Sequence, residues 1–100
     1  MSVVFSEIDG KTEARLSKSS SGELFTSIAK AIEDQYNIHW LNKLNGLDQR
    51  YWDFEIDNLI LTLHLEHFLG ISLFPANNTA DIMRANETVM TIGTFINEQF

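Results

Sequence analysis

The sequence predicts an α+β fold: a two-layer sandwich in which an antiparallel sheet of about 4–5 strands carries two helices on one face, in the order β(β)αβββα. Three observations carry that expectation. Residues Tyr51–Leu63 alternate apolar and polar side chains with a period of two, the mark of half-buried strands. Two separate stretches, near residues 23–36 and 82–96, repeat apolar residues at helical spacing. An apolar sheet face and two amphipathic helices bury each other in two layers, so the 100 residues form a single domain, 1–100.

The elements follow in order. Val3–Ile8 reads as a short strand ending at Asp9-Gly10, a hairpin turn signal, and residues 11–17 as its partner strand. Ser17–Gly22 is a polar linker. Ser20 and Glu23 have capping-box spacing, in which a serine hydroxyl accepts a backbone N–H and a glutamate reaches back. Leu24, Ile28, Ala31 and Ile32 make the apolar stripe of the helix that follows, and it ends near Tyr36-Asn37, where asparagine suits the left-handed closing residue. Residues 38–48 read as a loop carrying Trp40, with room for a short strand at 38–41, and Asn45-Gly46 is a turn signal.

With Asp57-Asn58 at a two-residue turn, Ile56 faces Leu59, Phe54 faces Leu61 and Trp52 faces Leu63, all on one face. Tyr51, Asp53 and Glu55 fall on the other face, opposite His64, Thr62 and Ile60. A second turn at Glu66-His67-Phe68 sets Leu69 opposite Leu65, Ile71 opposite Leu63 and Leu73 opposite Leu61, and Pro75 ends that strand. For the last helix, Asn78 is the expected cap, with Asp81 near the positive helix end. Ile82, Ala85, Val89, Ile92 and Ile96 form its stripe. Its threonines and Gly93 lower helix propensity, which leaves a strand in "TVMTIGTFI" as the alternative.

Charge narrows the function. The net charge is −7. Residues 1–18 balance Glu7, Asp9 and Glu13 against Lys11, Arg15 and Lys18, so the whole excess lies in residues 19–100. From Tyr51 to Met83 there are acids (Asp53, Glu55, Asp57, Glu66, Asp81) and no Lys or Arg. Direct nucleic-acid binding and anionic membrane surfaces both call for basic patches, so neither is expected. A basic protein partner is the electrostatic complement; solubility alone also accounts for a moderate acidic excess. The chain has no cysteine, hence no disulfide framework or thiolate site, which favours a reducing, cytoplasmic setting. No apolar run approaches the ~20 residues of a membrane span, and the N-terminus lacks the pattern of a secretory signal.

Catalytic chemistry is weakly supported. Asp53 and Glu55 share a strand face about 6–7 Å apart, a spacing compatible with an acid/base pair, but glycoside hydrolysis also needs a cleft and one raised pKa. His64, Glu66 and His67 are metal-capable types, yet "HLEH" lacks the helical spacing of recognised zinc motifs. Nucleophile elbows and phosphate-binding glycine loops are absent. Catalytic residues, cofactors and metal ligands are therefore assigned to none. Tyr51, Phe68 and Trp40 beside the acids have the character of interface anchors, since Trp and Tyr dominate binding hot spots; packing against neighbouring loops is the plainer role for them.

The block "WLNKLNGLDQRYWDFEIDNLILTLHLEHFLGISLFP", with its surroundings over about residues 38–75, resembles the central segment of small cytosolic immunity proteins from bacterial contact-dependent growth inhibition and related polymorphic toxin systems. Size, acidity and absence of cysteine agree. The resemblance implies a non-catalytic antitoxin that forms a 1:1 complex with one cognate toxin domain, often a basic nuclease. The expected contact residues are Tyr51, Asp53, Glu55, Asp57, His64 and Glu66, with Trp40 and Phe68 as anchors. The alternatives are a small metal-binding or hydrolytic domain using His64, Glu66, Asp53 and Glu55, and a homo-oligomeric structural protein that self-associates through open sheet edges.

Overall fold

The computed structural model describes residues 2–100. The chain runs β1 (Val4–Ile8), β2 (Lys11–Ser17), α1 (Gly22–Tyr36), β3 (His39–Asn45), β4 (Gln49–Ile56), β5 (Leu59–Glu66), β6 (Gly70–Pro75) and α2 (Ile82–Gln99). One antiparallel sheet holds all six strands in the order β1-β2-β6-β5-β4-β3. The α+β class and the two helices on one face are as the sequence predicts, but there are six strands rather than four or five. α1 carries the chain from β2 across to the far edge, where β3 begins a meander that returns through β4, β5 and β6 to lie beside β2.

The turns explain the hairpins. Asp9-Gly10 (φ 52° and 80°) and Asp57-Asn58 (φ 50° and 65°) have two consecutive left-handed residues, as two-residue turns matched to strand twist require. The β4–β5 register is the predicted one: Trp52↔Leu63, Phe54↔Leu61, Ile56↔Leu59. The next hairpin differs. Its turn is His67-Phe68-Leu69, and Leu65 pairs with Ile71, Leu63 with Leu73 and Leu61 with Pro75. The strand has slipped by two residues relative to expectation. Because side chains alternate with period two, Ile71 and Leu73 still face inward, while Leu69 leaves the ladder and is exposed.

Residues 38–48, expected to be a loop with room for a short strand at 38–41, instead contain the whole seven-residue strand β3 and its turn into β4. A bulge at Leu41, between the pairs Trp40↔Phe54 and Asn42↔Asp53, breaks the alternation and hides the strand in the sequence. Helix caps also move. Ser21, not Ser20, caps α1 by accepting from the Leu24 N–H at 3.2 Å. Asp81, not Asn78, caps α2 by accepting from the Arg84 N–H at 3.2 Å. Asn37 closes α1 in the left-handed conformation, φ 54°, as expected.

The core lies between sheet and helices. Phe54, Leu61, Leu63, Ile71, Leu73, Ala14 and Leu16 from the sheet meet Phe25, Ile28 and Ile32 of α1 and Ala85, Val89, Ile92 and Ile96 of α2. Each large side chain so buried stabilises by about 1.5–3 kcal/mol relative to exposure. Gly93, a liability for helix propensity, has a packing reason: a Cβ there would stand 2.7 Å from Phe5 Cε1, so the glycine lets α2 lie close over β1 and β2. No helix is long and apolar enough to cross a membrane among the described residues.

Candidate functional site: the open sheet face

Both helices cover one side of the sheet, and the other side is open. The strand register aligns one row of residues across all six strands: Leu44, Tyr51, His64, Ser72, Arg15 and Val4. At its centre Tyr51 stacks on His64 (ring centroids 4.3 Å apart, planes 15° apart), and Phe74 meets His64 edge-on at 5.8 Å. The Tyr51 hydroxyl donates to Gln49 Oε1. The imidazole is thus held between two rings, and its Nε2 is buried without a protein partner. Burial pushes the His64 pKa down, opposed by Glu66 and then Glu13. This geometry makes His64 part of an aromatic ridge.

The acids flank that ridge. Asp53 pairs across to Thr62, whose hydroxyl donates to Asp53 Oδ1 at 2.6 Å. Glu55 sits between His39 of β3 and Ile60 of β5 and is exposed. Glu66 pairs with Gln49. Among the described residues the ion pairs are confined to the helix layer (Lys30 with Glu33 and Asp34, and Arg84 with Asp81), so none neutralises these three carboxylates.

The bases of the same strands point the other way. Lys43 pairs with Trp52 on the helix side and lies over its indole, Nζ 4.4 Å from the centroid. Arg50 pairs with Leu65 and lies over Phe25 at 5.6 Å. Charge is therefore sorted across β3–β5: acids on the open face, bases against the helix-side aromatics. Lys11 and Arg15 bound the acidic zone from β2, and Lys11 Nζ donates to Asn77 Oδ1 at 2.9 Å.

The predicted site residues thus divide. Tyr51, Asp53, Glu55, His64 and Glu66 share the open face. Asp57 does not: it lies in the β4–β5 turn, and its carbonyl accepts from Arg84 Nη2 at 3.1 Å. Trp40 does not either. It faces the helix side, edge-on to Trp52 (5.4 Å) and Phe54 (5.3 Å), and packs half-buried against the core. Phe68 is 84% exposed at the tip of the β5–β6 turn, and Leu47 of the β3–β4 turn is exposed as well. The two turns are tied by the His67 N–H donating to the Asp48 carbonyl at 3.0 Å. Leu44, 65% exposed beside Tyr51, is a face residue the sequence reading missed because it lies beyond the bulge at Leu41.

Among the described residues, no three His, Asp or Glu side chains converge as a metal site would require. Comparison with protein-family models, with curated proteins and with solved structures returns no match for this chain.

Proposed function

We propose that this protein is a cytosolic immunity protein that binds a basic bacterial toxin domain, of the nuclease class, and blocks it by occupying the surface that would contact nucleic acid. The observation that carries this reading is the charge sorting on β3–β5, which leaves Asp53, Glu55 and Glu66 around the Tyr51–His64–Phe74 ridge with no basic side chain of those strands beside them. Unpaired acids steer a basic partner over a Debye length of about 8–10 Å at physiological salt. The aromatic ridge and Leu44 then supply the apolar contact on which affinity depends. Tyr51 is the expected anchor, being rigidly stacked before a partner arrives.

The experiment identifies the neighbouring gene and, where it encodes a large secreted protein, pairs the chain with that protein's C-terminal toxin domain. The expected result is a 1:1 complex whose association rate falls steeply as salt rises, and protection of cells producing the toxin. Asp53→Lys with Glu55→Lys is expected to slow association and abolish protection while leaving the fold intact. Retention of both binding and protection by that double variant would sink the assignment of this surface.

A further inference from the structure

The sheet has two free edges, and they are built differently. β3 carries devices that discourage strand pairing: the bulge at Leu41 and the charged Lys43. β1 carries no bulge, and its one charged side chain, Glu7, lies on the helix face. Its five residues, Val-Phe-Ser-Glu-Ile, pair with β2 without a register break and include no proline, lysine or bulge. Val4 is 58% and Ile8 53% exposed, both on the open face, and Ser6 lies between them. An edge of this kind offers a row of backbone donors and acceptors flanked by apolar side chains. The charge distribution points the same way: β1 and β2 belong to the segment 1–18, in which three acids balance three bases, while the remainder of the chain holds the entire −7. Two copies meeting at β1 bring together their neutral ends.

We propose that β1 is a self-association edge: two copies pair their β1 strands antiparallel about a two-fold axis at Ser6, joining two six-stranded sheets into one. The sequence of β1 is self-complementary in this register. Val4 of each copy lies opposite Ile8 of the other on the open face, and Phe5 lies opposite Glu7 on the helix face. A shift centred on Glu7 sets two carboxylates against each other, which is destabilising. A shift of one residue sends the helices of the two copies to opposite faces.

The helices leave room for the pairing. α2 packs chiefly over β2 and then β6. With strands about 4.8 Å apart, an α2 axis above β2 stands about 7 Å from the two-fold, so the two copies of α2 are about 14 Å apart, against a helix diameter of about 10–12 Å. A five-residue edge buries less than the roughly 1,200–2,000 Å² of a stable interface, so the dimer dissociates on dilution. The two acidic faces end up on one side of the joined sheet, both clear of the new contact. The dimer is therefore independent of the toxin-binding reading and is measured on the chain alone.

The chain has no cysteine, so a single introduced thiol reports the register directly. In Ser6→Cys the two cysteines lie opposite each other, with Cα atoms about 4.5–5.5 Å apart, inside the range a disulfide spans. In Val4→Cys they are offset by four residues, about 13 Å, beyond that range. Under mild oxidation at high protein concentration, Ser6→Cys is expected to form a covalent dimer at least about tenfold faster than Val4→Cys, because only the first can close without backbone movement. Sedimentation of the unmodified chain is expected to show a monomer–dimer equilibrium that Ile8→Lys removes. Equal cross-linking rates for the two cysteine variants, or a chain that stays monomeric at every concentration reached, overturn the proposal.

Discussion

Replacing Gly70 with alanine tests the junction between the β5–β6 turn and β2. Gly70 opens β6 with φ +93°, a conformation that costs an L-residue about 1–2 kcal/mol. Space is the second cost. A Cβ at Gly70 would overlap the carbonyl oxygen of Ser17 and stand 2.8 Å from the carbonyl carbon of Lys18. Both neighbours are backbone, so relief requires the end of β2 to move away from β6 next to the pair Ser17↔Ile71. Overpacking of this kind costs about 1–3 kcal/mol. The sum is about 2–5 kcal/mol, a large part of the 5–15 kcal/mol that holds a domain folded. At about 4–8 °C per kcal/mol for a domain of this size, a 3 kcal/mol loss lowers Tm by about 12–24 °C. Gly10→Ala is the control: its φ is +80°, but nothing lies within 4 Å of a Cβ there, so only the first cost applies. Thermal and urea unfolding followed by far-UV circular dichroism give the comparison. If Gly70→Ala loses no more stability than Gly10→Ala, the close approach of β6 to the Ser17–Lys18 backbone is not as described.

Two further outcomes follow from the packing. Phe25 is fully buried and meets Trp52 edge-on at 4.9 Å, so Phe25→Ala is expected to cost about 3–5 kcal/mol in urea unfolding; a loss below about 1 kcal/mol would mean that α1 does not seat on β4 through this residue. His64 gives a pH dependence. Burial holds its folded pKa below the ordinary value near 6.5, so in the interval between them the unfolded chain binds the proton more readily. Stability is therefore complete above that ordinary value and declines as pH falls through it toward the folded value. His64→Phe lacks this component, and its stability is expected to fall less than that of the unmodified chain between about pH 7.5 and 5.5; equal slopes would refute the assignment to His64.

The hairpin β4–β5 is legible from sequence because one register satisfies every position, and the turn residues Asp57-Asn58 accept the left-handed backbone it needs. β3 is not legible. Its polar residues Asn42 and Asn45 and the bulge at Leu41 erase the alternation, and its partner β4 supplies the pairing that local preference does not. The slipped β5–β6 hairpin has a related cause: "EHFLG" accommodates a three-residue turn at 66–68 or at 67–69, and the observed one places Gly70 in the left-handed region against the end of β2, a contact the local sequence does not show. The same divide runs through the candidate site. Alternation alone places Tyr51, Asp53, Glu55 and His64 on one face. That Lys43 turns away from those acids depends on β3 being a strand with a bulge at Leu41, and the seat of Arg50 over Phe25 depends on α1, neither of which is local. The side that Trp40 takes is not local either: it follows from its pairing with Phe54.

The tryptophans have an optical consequence. Both indoles of the chain, Trp40 and Trp52, lie 5.4 Å apart on the helix side, and Trp52 Nε1 donates to Asn45 Oδ1 at 2.8 Å. Their fluorescence and near-ultraviolet bands therefore respond to the seating of β3 and α1, whereas the open face carries a single phenol, Tyr51, as its chromophore. A ligand that settles on the open face leaves the indole emission unchanged, and titrations of it have to be read by heat, mass or an attached dye. A shift in indole emission on mixing with a tryptophan-free partner would instead locate the contact on the far side of the sheet, or reveal that docking strains the β3 edge.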